Sequence, residues 1–398
     1  MKAFLYKAKG AVALTLAMAM LTPQVFAAEA LSAEQQGVQA APVKTEEELA
    51  AEALPQLTFE EALAKVKKHS PDLKDLEVTM DMLWEKEEDL EDAGVHYVPN
   101  YDYKHWVPDG WYAATAGLFN IEMGQKQATI GKELTELGME VSLKSTFIGI
   151  IASEASMELA EENAKMQQTL YMQGYTKYRL GMLSKYNLDQ LQIAADKAKD
   201  SLEIQKLALE QMYIKLNNMM GVNADQRYEL VYDVPFTPYE MKQPMEQYIN
   251  TAMKDDLTIA MMELEVETAK FNRNYVPYSD GGSQTAQLKL THEQKQRALK
   301  AAKLDKEMLI RNGYLQIQDA EADYATALSN LTKAQADYRV AQVNYQAGNI
   351  TKVTVDGAKM GVMQAELALQ AAAYTHDLYV FMFENPSLLA DTSGQAQQ

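Results

Sequence analysis

The chain of 398 residues contains no cysteine, and its five histidines do not have the spacing of a metal site. Without cysteine, disulfides, zinc–cysteine centres and thiol nucleophiles are excluded. Basic residues are also scarce, at 37 against 56 acidic residues, which gives a net charge of −19. Because phosphates need a basic protein face, this balance argues against a nucleic-acid partner.

Long apolar runs are missing after the amino-terminal segment, so no membrane-spanning helix is predicted. At the start of the chain, Lys2, Lys7 and Lys9 precede the short apolar run "GAVALTLAMAML", and "VFA" places small residues before Ala28. This pattern predicts a secretory signal peptide over 1–27, and therefore an exported protein. The Ala-, Glu- and Gln-rich residues that follow are typical of a flexible leader.

One stretch of sequence occurs twice. "YRLGMLSKYNLD" at 178–189 is matched in the second half of the chain by "YQAGNITKVTVD" at 345–356. A long internal repeat sets the architecture of a chain, so we predict two copies of one unit. The predicted divisions are a leader at 28–56, a first copy at 57–222, a Pro-rich inter-repeat equatorial segment at 223–244, a second copy at 245–385 and a tail at 386–398.

Each copy carries a heptad pattern that predicts long coiled-coil helices. In the second copy the large residues of the seam are Tyr324, Leu331, Tyr338 and Tyr345, interleaved with Ala320, Ala327, Ala334 and Ala341. The predicted helices at 122–178 and 288–345 would each be about 85 Å long at 1.5 Å per residue. A helix of that length belongs to an extended bundle, a tube or a filament. The predicted fold class is therefore mainly α, built from duplicated helical hairpins.

Gly181 and Gly348 lie where each long helix must reverse, because glycine adopts the left-handed conformation that ends a helix. Ser184 and Thr351, or Asn187 and Thr354, are suitable N-caps for the returning helices. From the chemistry of these residues alone, they do no more than cap a hairpin.

The order of an aromatic residue, a glycine, Ser or Thr, and then "LD" or "VD" at each turn resembles the TolC family of outer-membrane efflux proteins. "LFNIEMGQKQATI" at 118–130 and the opening "LTFEEALAKVKKHSPDL" resemble that family too. The resemblance implies a homotrimer that forms a hollow α-helical barrel and a passive conduit in the cell envelope. It also implies a periplasmic helical tube whose ends dock a periplasmic adaptor protein of an inner-membrane pump.

The resemblance also implies site residues. The adaptor-docking positions are Gly181, Met182, Leu183, Ser184, Gly348, Asn349, Ile350 and Thr351. Tyr345 matches a gate tyrosine of the family, and Asp189 and Asp356 are further candidates for a gate or lumen position. Acidic residues near the mouth of a tube would favour cations.

Membrane strands are the feature in which this chain differs from the family. Residues 97–123 could supply two short strands around a Pro-Asp-Gly turn. The second strand region, 275–290, is too short for two spanning strands of about 9–11 residues each. We therefore expect a reduced β-strand region, with membrane contact through strands only if they are retained. The alternative is a structural helical envelope protein, derived from the family, without a working pore.

Other features favour structural roles. The acidic stretch at 85–94 is predicted to be a solvated helix face rather than a cation site. The 23 methionines suit core packing better than copper binding, and His376 falls on an apolar stripe and is expected in the core. The sequence shows no nucleophile–base pairing and no phosphate loop. We expect neither an enzyme nor a cofactor or metal.

Overall fold

The chain is almost entirely helical over the residues that the computed structural model describes, which are 54–92, 109–275 and 284–389. The predicted mainly α fold class is confirmed, whereas the signal peptide lies outside the described residues. In chain order the elements are β1 (Gln56–Thr58), α1 (Phe59–His69), α2 (Pro71–Asp92), α3 (Asp109–Arg179), α4 (Lys185–Met220), β2 (Glu229–Val231), α5 (Met245–Asp255), α6 (Leu257–Asn274), α7 (Thr285–Gln346), α8 (Lys352–Glu384) and a 3-10 helix (Pro386–Leu388).

The same order of helices occurs in both halves of the chain. A helix of 11 residues opens each half, and a helix of 22 or 18 residues follows it. The long helix then has 71 residues in the first half and 62 in the second. A returning helix of 36 or 33 residues completes each hairpin. The predicted long helices at 122–178 and 288–345 are confirmed, and both begin earlier than the heptad pattern indicated.

The contacts within the described chain define two compact units. The turn unit consists of 155–207 and 331–365 and contains both helix reversals. The core unit consists of 54–154, 208–330 and 366–389, and it contains the short helices, the strands and the three hydrophobic clusters.

Two clusters of the core unit use matched positions of the two halves. In each cluster, apolar residues spaced by seven on the long helix meet buried apolar side chains of the returning helix. Matched positions of the two halves are separated by the same number of residues as the two turn motifs. The matched pairs are Leu143 and Ile310, Ile150 and Ile317, and Leu216 and Phe383. Each of these six side chains is almost fully buried, so the heptad stripe continues from the hairpins into the two clusters.

The first half closes its hairpin with a strand pair. The chain leaves α4 at Gly221 and returns to form β2, which pairs in parallel with β1. Two buried side chains of α4 hold this return: Tyr213 donates to the carbonyl of Tyr228 at 2.8 Å, and the Asn217 amide donates to the carbonyl of Ala224 at 2.9 Å. Backbone carbonyls of the segment that follows α4 therefore accept hydrogen bonds from buried side chains.

The second half closes its hairpin with a buried ion pair. Lys306 of α7 lies 3.0 Å from the Asp256 carboxylate, and both side chains are buried. The Lys306 ammonium also donates to the carbonyls of Pro386 and Leu389, at 3.0 and 3.2 Å. Asp256 in turn caps α6 by accepting from the amide of Ile259 at 3.0 Å. A buried ion pair of this kind is tolerated only because further hydrogen bonds satisfy both partners.

The inter-repeat segment packs against helices α7 and α8 of the second half. Phe236 stacks on Tyr324 with ring centroids 3.7 Å apart, and the amide of Tyr239 donates to Glu321 at 2.7 Å. His376 contacts the Phe236 ring and lies 3.5 Å from Glu321. Because His376 is only 5% exposed, its predicted place in the core is confirmed.

The first predicted strand region, 97–123, is helical where the structure describes it. Its described part, 109–123, is the beginning of helix α3, so the strand prediction is wrong there. The physical reason is packing together with the strong helix propensity of alanine. Phe119 and Met123 are buried against α6, and Phe119 stacks on Phe271 with centroids 4.0 Å apart. Residues 97–108 and 276–283 lie outside the described chain; 285–290 is helical.

Helices α2 and α3 lie close together because leucines of one helix face glycines of the other. The three facing pairs, each spaced by seven residues, are Leu90 with Gly117, Leu83 with Gly124 and Leu76 with Gly131. A Cβ at position 124 would lie 3.2 Å from the end of the Leu83 side chain, which would have to shift by a few tenths of an ångström to admit it. Most of the acidic residues at 85–92 are exposed, as predicted for a solvated face, whereas Glu87 is half-buried and accepts a hydrogen bond from Gln125 of α3 at 2.6 Å.

Candidate functional site

The two helix reversals have the same backbone geometry. Gly181 has φ +74° and donates its amide to the carbonyl of Tyr178 at 2.9 Å, while Met182 donates to the carbonyl of Lys177 at 2.8 Å. These two hydrogen bonds form a Schellman motif, which requires a left-handed residue at the position of the glycine. Gly348 repeats it with φ +76°, and its matching hydrogen bonds are Gly348 to Tyr345 at 2.9 Å and Asn349 to Asn344 at 2.8 Å.

The returning helices begin differently at the two turns. Ser184 precedes α4, and its hydroxyl accepts from the amide of Asn187 at 3.2 Å, as expected of an N-cap. Thr351 holds the corresponding position before α8, but its hydroxyl pairs with the Thr354 hydroxyl at 3.1 Å. The amide of Thr354 instead donates to the backbone carbonyl of Thr351. The sequence therefore predicted the cap position in both halves and the capping hydrogen bond only in the first.

The predicted docking residues at the first turn divide into exposed and packed ones. Met182 is 61% exposed, and Gly181 and Ser184 are exposed as well. Leu183 is half-buried and turns back toward Gly174, where an added Cβ would lie 3.5 Å from its side chain. Leu183 therefore stabilises the turn itself.

At the second turn the exposed groups are smaller or more polar, and one more of the predicted positions is packed. Gly348 and Asn349 are exposed, whereas Ile350 and Thr351 are half-buried. Ala341 holds the position that matches Gly174, and it is buried.

Sequence reasoning missed two exposed apolar residues beside the first turn. Leu180 is 67% exposed and Tyr186 is 71% exposed, which is more than any other large apolar side chain in the described ranges. Both lie within the repeated stretch 178–189, at positions that do not carry the family resemblance. A position-by-position comparison with the second turn could have found them, because the matching residues there are Ala347 and Val353.

The candidate gate and lumen residues have unlike surroundings. Asp189 forms an ion pair with Lys185 at 2.6 Å, and this hydrogen bond raises the pKa of Lys185 above its usual value. Asp356 is half-buried and has no ion pair among the described residues. Tyr345 is 46% exposed and accepts the Gly348 amide through its backbone carbonyl. Of the two carboxylates, Asp356 is the one whose charge is not offset by a neighbouring side chain.

Metal clusters and membrane-spanning helices are absent from the described ranges. No group of three or more His, Asp or Glu residues is placed there to hold a metal ion. Likewise, none of the described helices has the length and apolarity needed to cross a membrane.

Solved structures of bacterial outer membrane channels share this fold. The Campylobacter jejuni CmeC outer membrane channel matches with a TM-score of 0.63 at 12% identity, over 92% of this chain and 97% of that one. The Vibrio cholerae outer membrane protein VceC matches at 0.61 and 13% identity, over 83% of this chain and 96% of that one. The open state of the Neisseria gonorrhoeae MtrE outer membrane channel matches at 0.61 and 11% identity, over 84% of this chain and 90% of that one.

The chain therefore has the fold of TolC-family outer membrane channels, as its sequence resemblance implied. Because the identities are so low, the likeness establishes the fold alone. No protein-family model matches the sequence, and a comparison with curated proteins finds no match.

Proposed function

We propose that the chain is a subunit of a passive efflux conduit in the bacterial cell envelope, located at the outer membrane with its helical hairpins in the periplasm. The observation that carries this proposal is the channel fold, which extends over 92% of the chain in the comparison with CmeC. The duplicated helix order supports it, because two hairpins per chain in a homotrimer would give six hairpins around a tube. In this view the two halves are copies of one unit.

Exposed apolar side chains on the hairpins support assembly. Away from the turns, three of the four helix segments in the turn unit, those of α3, α4 and α7, carry large apolar side chains that are more than 40% exposed. These residues are Met172, Tyr175, Ile193, Ile204, Leu207, Val340 and Val343. Large apolar side chains that a folded chain leaves exposed point to a place of contact, and on long helices such side chains are commonly covered by further helices. Neighbouring copies of the chain would supply those helices.

The hairpin ends are the proposed docking surface for a periplasmic adaptor of an inner-membrane pump. Of the eight positions taken from the family resemblance, the exposed ones are Gly181, Met182, Ser184, Gly348 and Asn349. Leu183, Ile350 and Thr351 would act by holding the turns in shape. At the mouth of the tube, Asp356 is a better candidate for a lumen charge than Asp189, because Lys185 neutralises Asp189.

The conduit needs no catalytic group and no cofactor, and we propose neither. A second candidate function is a structural helical envelope protein without a working pore. The helical conformation of 109–123, where membrane strands were predicted, favours that candidate. The two candidates differ in assembly and conductance.

Light scattering after size exclusion, with and without detergent, tests the proposal on residues 28–398. A trimer that conducts ions in a planar bilayer is the expected result. A monomer in both conditions would overturn the conduit, and a trimer without conductance would favour the structural candidate. Asp356→Asn is expected to lower cation preference in the same bilayers, with Asp189→Asn as the matched control of smaller effect.

A further inference from the structure

The two hairpin ends share a backbone but differ in exposed chemistry. Leu180, Met182 and Tyr186 of the first end are 67%, 61% and 71% exposed, and they are three of the four most exposed large apolar side chains in the described ranges. The matching positions of the second end hold Ala347, Asn349 and Val353. One end therefore presents a large apolar set at places where the other presents small or polar groups.

The exposed set of the first end is not needed to form the turn. The turn is built by the glycine, by the half-buried Leu183 and by Leu188, which is 4% exposed. The second end forms the same Schellman motif without large apolar groups at the matching positions. Apolar side chains that a turn does not require, and that water surrounds, point to a partner.

The charge of the turn unit differs from that of the rest of the chain. Residues 155–207 and 331–365 contain eleven basic and nine acidic residues, which leaves 26 basic and 47 acidic residues elsewhere. Near the first end, Lys177 and Arg179 have no ion pair among the described residues, whereas Lys185 is paired with Asp189. The end of a strongly acidic protein is therefore locally cationic, and it complements an acidic partner.

We propose that the first hairpin end is the anchor of the docking surface, and that its partner is the end of a helical protein bearing apolar side chains among carboxylates. Leu180, Met182 and Tyr186 enter the apolar part of that partner, and Lys177 and Arg179 contact its carboxylates. The second end contributes little to affinity. This inference rests on the proposed conduit, and it assigns the partner's chemistry and the end that binds it.

The charges of the first end also favour this partner over a lipid surface and over a second copy of the chain. Lipid-binding segments carry clusters of about four to eight Lys and Arg residues, whereas the first end has only Lys177, Arg179 and Lys185, and Asp189 offsets the last of these. A second copy docked end to end would bring like charges together, which opposes association. The end of a helical protein with apolar side chains among carboxylates would contact both the exposed apolar side chains and the cationic side chains of the first end.

Binding to two synthetic helical-hairpin peptides tests the proposal. The peptides differ only in the loop, where leucines are flanked either by glutamates or by lysines. Fluorescence anisotropy with the full mature chain is expected to give a Kd about tenfold lower for the acidic peptide, and added salt should reduce this preference. Equal affinity for the two peptides would overturn the assigned partner chemistry.

Matched variants locate the anchor. Leu180→Ala, Met182→Asn and Tyr186→Val together install the residues of the second end, and we expect them to raise the Kd for the acidic peptide about tenfold or more. Asn349→Ala with Val353→Ala trims the second end and should change it less than about threefold. An equal loss at both ends would contradict the asymmetry. Unchanged helical circular dichroism controls for folding.

Vesicles of phosphatidylethanolamine and phosphatidylglycerol are the third probe. Binding to these vesicles without binding to either peptide would assign the end to a lipid surface and overturn the proposal. The mass of the chain is measured in the same samples. A monomer that still binds the acidic peptide would contradict the conduit but not the anchor, so the two failures are distinguishable.

Discussion

The two halves of the chain build the same helical hairpin and secure its base by different chemistry. In the first half, a parallel strand pair and the side chains of Tyr213 and Asn217 hold the returning segment. In the second half, Lys306 and Asp256 hold it through a buried ion pair. Met139 holds the position that matches Lys306, and Ser70 follows the 11-residue helix of the first half as Asp256 follows that of the second. The heptad pattern that the two halves share therefore determines the helices, whereas each half stabilises the base of its hairpin by its own contacts.

The largest effect should come from breaking the ion pair of the second half. Lys306→Met installs the residue of the first half and leaves the Asp256 carboxylate buried without its partner. We expect a loss of about 3–5 kcal/mol in the free energy of unfolding, measured by urea denaturation.

The double variant Lys306→Met with Asp256→Ser is the matched control. It installs the residues that the first half has at these two places, and serine can still cap helix α6. We expect it to recover most of the lost stability. A double variant no more stable than Lys306→Met alone would show that the closure of the second half depends on more than this pair.

The next effect concerns a glycine found only at the base of the first half. Gly221 has φ +66°, and a Cβ there would overlap the His69 ring. Gly221→Ala should therefore cost about 2 kcal/mol or more, from backbone strain and from displacement of His69. Gly181→Ala and Gly348→Ala are the controls. An added Cβ meets no neighbouring atom at either turn, so only the backbone strain of a positive φ, about 1 kcal/mol, is expected. Equal melting temperatures for all three variants would contradict this ranking.

A pH effect is expected from one histidine of the second half, His292. Burial, followed by the nearby Arg273 charge, lowers the pKa of His292, whose Nδ1 lies 3.1 Å from the Arg273 guanidinium. The folded state thus favours neutral imidazole, while the unfolded chain takes up a proton near pH 6.5. The unfolded state then binds more protons, so this contribution to stability is complete above about pH 6.5 and is lost as the pH falls.

His292→Gln sharpens that comparison, because glutamine is the residue at the matched position, Gln125. The variant should flatten the dependence of the unfolding midpoint on pH between about 5 and 7. His69→Gln serves as the control at a histidine of the first half. A pH profile that His292→Gln leaves unchanged would assign the acid sensitivity to other groups.

The smallest effect should distinguish the two turns. Ser184→Ala removes a hydroxyl that accepts a helix amide, so we expect a loss of about 0.5–1 kcal/mol. Thr351→Ala removes a hydroxyl that pairs only with another hydroxyl, and it should cost less. Thermal unfolding of the two variants measures the difference, and an equal or reversed order would count against the capping geometry.

Heptad spacing was enough to predict the long helices and the places where they reverse. The spacing of Tyr324, Leu331 and Tyr338 placed the long helix of the second half, and Gly348 placed its turn. The strand prediction for 97–123 had a different basis, the family resemblance and the aromatic residues around a Pro-Asp-Gly sequence, and it is wrong for the described residues 109–123. Their helical conformation depends on the stacking of Phe119 on Phe271, a contact between residues far apart in the chain.

The candidate site was only partly predictable. The turn motif identified Gly181 and Gly348, and both have the left-handed backbone that the motif requires. It treated the two ends as equivalent, whereas the exposed Leu180 and Tyr186 make the first end more apolar. It also treated Asp189 and Asp356 alike, although Lys185 pairs with only one of them.

By itself, the sequence determined the helical class, the doubled hairpin and the positions of both turns, because heptad periodicity and glycine act through residues near each other in the chain. Only the tertiary structure decided how each half closes at its base, which residues of each end remain exposed, and that 109–123 is helical. These depend on contacts between distant residues, such as Lys306 with Asp256, and local patterns do not encode which distant side chain completes a buried site.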